Sequence, residues 1–188
     1  MTAADTGIAH HEPTVRPVEP DPWAAVAPLV TAAQSGDVMA VNDLLNLLTP
    51  YVSRLCRPIA LGDSADAVQE SLIAVFQGLP KLKDPTALYA WVRTITVREA
   101  LKVARRSRRE TPVAEFFDEL PGPRSTELAS DVHDVLRRLS SEHRAVLTLR
   151  ELEGLDERSA SRLLNISCGT VKSRLHRARN SFRKAWTR

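Results

Sequence analysis

The sequence predicts an all-α protein made of two small helical domains, and three observations carry that reading. No segment shows sustained period-two alternation of apolar and polar residues, so strands are absent or trivial. Apolar residues recur instead at three- and four-residue spacings behind capping residues. The stretch SRRETPVAEFFDELPGPRST, with three prolines, a glycine and dense charge, divides this helical material in two.

The elements follow in order. Residues 1–22 hold Pro13, Pro17, Pro20 and Pro22 and little that could form a core, so they read as a disordered leader. Helical material begins with AAVAPLVTAAQ and VMAVNDLLNLLTPYVSRLC, which Pro50 and Pro58 are expected to kink or end. Ser64 can cap a helix whose apolar stripe is Val68, Leu72, Val75, Phe76 and Leu79. Asp84 and Pro85 supply an N-cap and first-turn proline for TALYAWVRTITVREALKVARR. There Leu88, Val92 and Ile95 share one side and Val97, Leu101 and Ala104 another, which implies contacts on two sides. Within the linker, Phe116 and Phe117 are either a small docking patch or a turn of helix closing over a core. Helices then resume at LASDVHDVLRRL and SSEHRAVLTLRELEG. The expected organisation is a leader at 1–22, domains at 23–109 and 127–188, and an acidic, flexible linker at 110–126.

Composition excludes several classes. The chain has 188 residues, 26% charged and 43% hydrophobic, in the range of ordinary globular proteins. No stretch approaches the roughly 20 apolar residues of a membrane span, and the N-terminus lacks the pattern of a secretory signal. Cys56 and Cys168 form neither a disulfide framework nor a zinc spacing, which fits a reducing cytoplasm. The net charge of +3 is unevenly spread: Arg98–Arg109 and the acid-free tail from Lys172 to Arg188 are basic. Residues 1–50 and 110–134 are acidic. Two basic blocks separated by an acidic segment suggest two surfaces on one polyanion; solvated helix faces are the alternative.

The segment LDERSASRLLNISCGTVKSRLHRARNSF has the layout of a helix-turn-helix. Asp156 can cap the first helix, whose Ala160, Leu163 and Leu164 point inward. Asn165 stands where the turn needs a left-handed residue, Ile166 plugs the corner, and Ser167 can cap the second helix. In that second helix Val171, Leu175, Ala178 and Phe182 share a face. The other side presents Ser173, His176, Arg177 and Asn180, with Gly169 and Thr170 leading and Lys172, Arg174 and Arg179 flanking. A helix fits the DNA major groove, where its outward face reads base edges and flanking cations hold phosphates.

The stretch HRAVLTLRELEGLDERSASRLLNISCGTVKSRLHRAR closely resembles region four of bacterial sigma factors, above all the extracytoplasmic-function (ECF) group. DSADAVQESLIAVF resembles the region-two helix that grips the polymerase clamp, and AWVRTITVREALKVARR the promoter-melting helix. The resemblance spans about residues 24–188, in the family's order. It implies a promoter-specificity subunit that binds core RNA polymerase through the clamp coiled coil and the flap, recognises promoter DNA at the −35 and −10 elements, and helps to open it. An anti-sigma factor is a further partner that it allows. Matched positions put Asp66, Gln69 and Glu70 on the polymerase contact; a solvated helix face is their alternative. They put Arg93, Arg98, Lys102, Arg105 and Arg106 on the −10 element and its melting. Trp91 is either core or a stacking platform. Gly169, Thr170, Lys172, Ser173, Arg174, His176, Arg177 and Arg179 would meet the −35 element. Arg98 stands where the family usually has asparagine, and Lys102 where an acid is common, so no −10 preference is carried over. Asn165 replaces a frequent glycine.

No catalytic set is expected: His10, His11, His133, His143 and His176 are scattered, and no glycine loop cradles a phosphate. Neither a cofactor nor a metal nor a membrane contact is expected, nor a further domain beyond Arg188. The competing reading is a stand-alone helix-turn-helix regulator, which would share the C-terminal motif and lack the upstream one. A scaffold that binds polymerase without recognising promoters is a third.

Overall fold

A computed structural model describes residues 26–110 and 127–186 of the chain. The expected leader, the linker and Phe116 and Phe117 lie outside the described residues. Eight helices are described: α1 (Ala27–Gln34), α2 (Val38–Ala60), α3 (Ser64–Gly78), α4 (Leu88–Glu110), α5 (Glu127–Arg137), α6 (Ser141–Leu147), α7 (Glu157–Leu164) and α8 (Cys168–Trp186). Among the described residues there is no strand, and no helix is long and apolar enough to cross a membrane.

The first four helices form one bundle around α2, which packs on α1, α3 and α4. Asp37 caps α2, its carboxylate accepting from the amides of Met39 and Ala40. Leu44, Leu48, Val52, Leu55 and Ile59, at three- and four-residue spacings, form its buried stripe. Pro50 and Pro58 do not end the helix. The carbonyls they leave unpaired, four residues earlier, belong to Asn46 and Arg54, both exposed, where water can take the place of the missing amide.

A tight turn, Leu61–Asp63, leads straight from α2 into α3. Ser64 is therefore the first helical residue rather than the cap: its amide already donates to the Leu61 carbonyl. The buried strip of α3 is the narrow set Ala67, Ser71 and Val75, with Val68 and Leu72 packed beside it. Phe76, expected in that stripe, is 51% exposed. Small residues let α3 lie close to its neighbours. A Cβ at Gly78 would stand 2.8 Å from the Trp91 ring, so this Trp sits tight against α3 as a packing residue. Asp84 accepts from the amide and hydroxyl of Thr86 and starts the short turn into α4. As the two-sided pattern implied, α4 packs on α2 and α3 and also meets α6.

The second bundle is built by α6 and α8, with α7 and α5 against α8. After α6 the chain widens into a π-type turn, Thr148–Leu152, and Gly154 takes a left-handed φ of 63° before α7. The two bundles share one continuous core, because Ala145, Val146 and Leu149 join the cluster built on α2. Cys56 lies in that core beside Ser71, and burial pushes its thiol up to about 11. Cys168 is exposed. Iodoacetamide at neutral pH should therefore label Cys168 and spare Cys56 in the folded chain, and label both in urea, as peptide mass spectrometry would report. Labelling of Cys56 at the Cys168 rate without urea would show that this core opens readily.

Candidate nucleic-acid interface

The helix-turn-helix assembles as its residues require. Asp156 accepts from the Ser159 amide at 2.6 Å and fixes the start of α7. Asn165 closes that helix at φ 53° and ψ 49°, the left-handed conformation that asparagine tolerates better than most residues. Ile166 packs on the core, and Ser167 accepts from the Thr170 amide at 3.0 Å to start α8. Ala160 and Leu163 of α7 meet Val171, Leu175 and Ala178 of α8, all buried. Local chain chemistry thus fixes the angle at which α8 is presented.

The outward face of α8 carries Gly169, Ser173, His176 and Arg177, all exposed, with Thr170 half-buried. His176 is held by Asn180 at 2.9 Å, and Ser173 donates to the Thr170 carbonyl. Lys172 and Arg179 flank one side, and both meet acids: Lys172 faces Glu157 at 3.4 Å and Arg179 donates to Glu151 at 2.6 Å. Arg174 flanks the other side, half-buried, towards His143 of α6. Burial, with the nearby charges of Arg174 and Arg177, holds that imidazole below its ordinary range. The result is a helix with a slim leading end, hydrogen-bonding groups along its crest and cations on its shoulders. That is the layout a major-groove reader needs.

On α4, four of the five candidate cations share a face: Arg98, Lys102, Arg105 and Arg106 are all exposed. Two already have partners, Lys102 with Glu99 at 2.8 Å and Arg105 with Glu142 at 3.0 Å. The Glu99 pairing, with Glu70 nearby, holds the Lys102 ammonium above its ordinary range. Arg93 does not join them. It lies on the buried side of α4, 22% exposed, where it meets Glu153 at 3.3 Å.

On α3, Asp66 and Gln69 are exposed and Glu70 half-buried, along one side of the helix. Ile73 and Phe76, 45% and 51% exposed, continue the same strip. These two apolar residues were not among the candidates, because periodicity placed Phe76 inside. Also missed was the contact set at Glu153, whose partners lie as far as 102 positions away in the chain. Among the described residues no group of three His, Cys, Asp or Glu side chains could hold a metal ion.

Comparison with known proteins agrees with this layout. The family model for sigma-70 region 2 matches residues 40–110, and that for sigma-70 region 4 matches residues 129–181. The ECF RNA polymerase sigma-E factor of Haemophilus influenzae is 31% identical over 176 residues, spanning 80% of this chain and 89% of the relative. The sigma-E factor of Escherichia coli K12 is 30% identical over 172 residues, spanning 82% and 90%. Among solved structures, the sigma factor RpoE in complex with the anti-sigma factor NepR from Bartonella quintana shares the fold. Its TM-score is 0.60 at 23% identity, over 78% of this chain and 96% of that one. CnrH in complex with the cytosolic domain of CnrY gives 0.57 at 24%, over 85% and 96%. With regions two and four in series and relatives matched along nearly their whole length, the chain belongs to the extracytoplasmic-function group of RNA polymerase sigma factors, promoter-specificity subunits that direct transcription initiation.

Proposed function

We propose that this chain recognises its promoters by laying α8 in the major groove of the −35 element. Gly169, Thr170, Ser173, His176 and Arg177 would lie towards base edges, and Lys172, Arg174 and Arg179 would hold phosphates. The cations on the exposed face of α4, Arg98, Lys102, Arg105 and Arg106, would take the opened −10 strand, whereas Arg93, turned to the buried side, would not reach it. Asp66, Gln69 and Glu70, with Ile73 and Phe76 beside them, would dock on the clamp coiled coil of core polymerase, and the second bundle on the flap. Residues 23–109 would act as the first domain and 127–188 as the second, joined by the acidic segment 110–126. Working in the cytoplasm, the chain would supply binding energy for DNA opening and leave catalysis to the polymerase. An anti-sigma factor, the kind of partner that NepR is in the RpoE complex, is the regulator it would accept.

The observation that carries this reading is the capped helix-turn-helix with an exposed polar and cationic crest on α8. The region-two match over 40–110 counts against a stand-alone regulator. Run-off transcription with purified core polymerase on a pool of promoter fragments tests it directly: specific transcripts should appear only when the chain is added. On a promoter so identified, Arg177→Ala should cost about 1–3 kcal/mol and relax discrimination at one −35 position. An equal loss on random DNA would make Arg177 a phosphate contact instead.

A further inference from the structure

A cavity of about 770 Å³ opens where the turn after α2, the end of α4, α5 and the start of α6 come together. That volume suits a small organic molecule and far exceeds what a single phosphate ion needs. Its charge is one-sided. Arg108 of α4, His133 and Arg137 of α5, Arg138 just beyond them and Arg144 of α6 line it, against one acid, Asp63, among the described residues.

The cations are arranged in depth. Arg108 and Arg138 are exposed, and neither forms an ion pair among the described residues. His133 and Arg137 stand four positions apart and so share a face of α5. Arg144 is buried in the wall behind them. Three of its N–H groups go to the Ile59 and Leu139 carbonyls, and because a guanidinium carries five, two are left over. Burial, and then the nearby charge of Arg108, hold the Arg144 guanidinium below its ordinary range against the pull of Glu142 and Asp63. These groups therefore sense one another across the cavity.

Like charges gathered in a recess repel one another, and the same wall focuses their field on an anion that enters. Guanidinium forks match phosphate oxygens two at a time. Cations from three helices enclose more space than one phosphate fills, which suits two phosphates in series. Leu61, Ala104 and Leu139 add an apolar patch against which an attached ring could rest. Leu61 holds its place at φ 56°, a left-handed backbone that glycine would adopt with less strain. Strain of this kind collects at ligand sites. A nucleic-acid backbone could touch Arg108 and Arg138 at the rim, but the buried Arg144 lies beyond its reach.

We propose that this cavity binds a small molecule bearing a pyrophosphate group, gripped by Arg108 and Arg138 at the mouth with His133, Arg137 and Arg144 behind. None of these residues belongs to the sets assigned above to promoter or polymerase, and the inference does not rest on that assignment.

Isothermal titration calorimetry on the full chain, in buffer free of magnesium and phosphate, tests it with sodium pyrophosphate, adenosine 5′-diphosphate and orthophosphate. Pyrophosphate should bind once per chain with a dissociation constant below about 1 mM, at least about tenfold more tightly than orthophosphate. Arg108→Gln and Arg138→Gln should each weaken it by about tenfold. Lys83→Gln removes the same charge from an exposed position outside the cavity and should change it by less than about twofold. Tighter binding of the nucleotide than of pyrophosphate would uphold the site and name a nucleotide as its source, through the apolar patch. Equal or weaker binding would uphold it with the free anion as the source. No saturable binding of either probe overturns the proposal, as does equal weakening by Lys83→Gln, which would reduce it to bulk charge. A short single-stranded DNA that displaces pyrophosphate and loses affinity in the same two variants would make the cavity part of a nucleic-acid surface, and the small-molecule reading would fall. If one arginine variant loses its helical circular dichroism, the other carries the test.

Discussion

Arg144→Leu should lower the free energy of unfolding by about 3 kcal/mol, read as a drop in the urea midpoint at constant slope. Arg144 of α6 is buried, and its guanidinium is spent on main-chain carbonyls. Nε and Nη2 donate to Ile59 O at 2.9 and 2.7 Å, and Nη1 donates to Leu139 O at 2.6 Å. Ile59 O belongs to the last turn of α2, where helix carbonyls lack partners and a cation is favoured by the helix dipole. Leucine keeps most of the volume and orphans both oxygens, each at a cost of about 1–3 kcal/mol. Part of that is offset, because burial already penalises the charged form and holds the guanidinium below its ordinary range. Arg144→Lys should recover little, since an ammonium cannot fork across two carbonyls. A midpoint unchanged by Arg144→Leu would mean that water reaches both oxygens.

Leu149→Ala should cost about 2–5 kcal/mol, and its effect should not stay in its own bundle. Leu149 is fully buried at the head of the π-type turn, in the core cluster that also contains the α2 stripe. If the chain unfolds as one cooperative unit, amide exchange should speed up in α2 and in α8 by similar factors. Acceleration confined to α6–α8 would show two bundles that unfold separately.

How much of this was legible in the sequence depended on chain distance. The helix-turn-helix was readable in detail because Asp156, Asn165 and Ser167 act on backbone groups within five positions of themselves. The same holds for Asp84 and its turn. Where the reading went astray, a neighbour in space had changed the local rule. Ser64 lost its capping role to a preceding turn that periodicity does not show. Phe76 followed an apolar spacing, yet α3 buries Ala67, Ser71 and Val75, because small side chains allow a close approach to Trp91 and α2. Pro50 and Pro58 break helices by a general rule whose cost falls away when the freed carbonyls face solvent. Arg93 was grouped with four other cations by composition and motif. Only the fold shows that it faces the other way, towards a glutamate 60 positions later. Complementary charges that far apart leave no periodic trace.

The π-type turn at Thr148–Leu152 has a consequence for how chain length is tolerated here. Such a turn accommodates one residue more than a regular helix would at the same place. Deleting a single residue from the regular winding of α6 that leads into it would rotate everything downstream by about 100°. The deletion would leave composition and hydropathy nearly untouched, yet swing Glu153 away from Tyr51 and re-aim the following Gly154 bend. The winding from α6 to the Gly154 bend thus acts as a length gauge: substitutions along its solvent side are cheap, whereas a gain or loss of one codon in α6 would redraw the joint between the bundles.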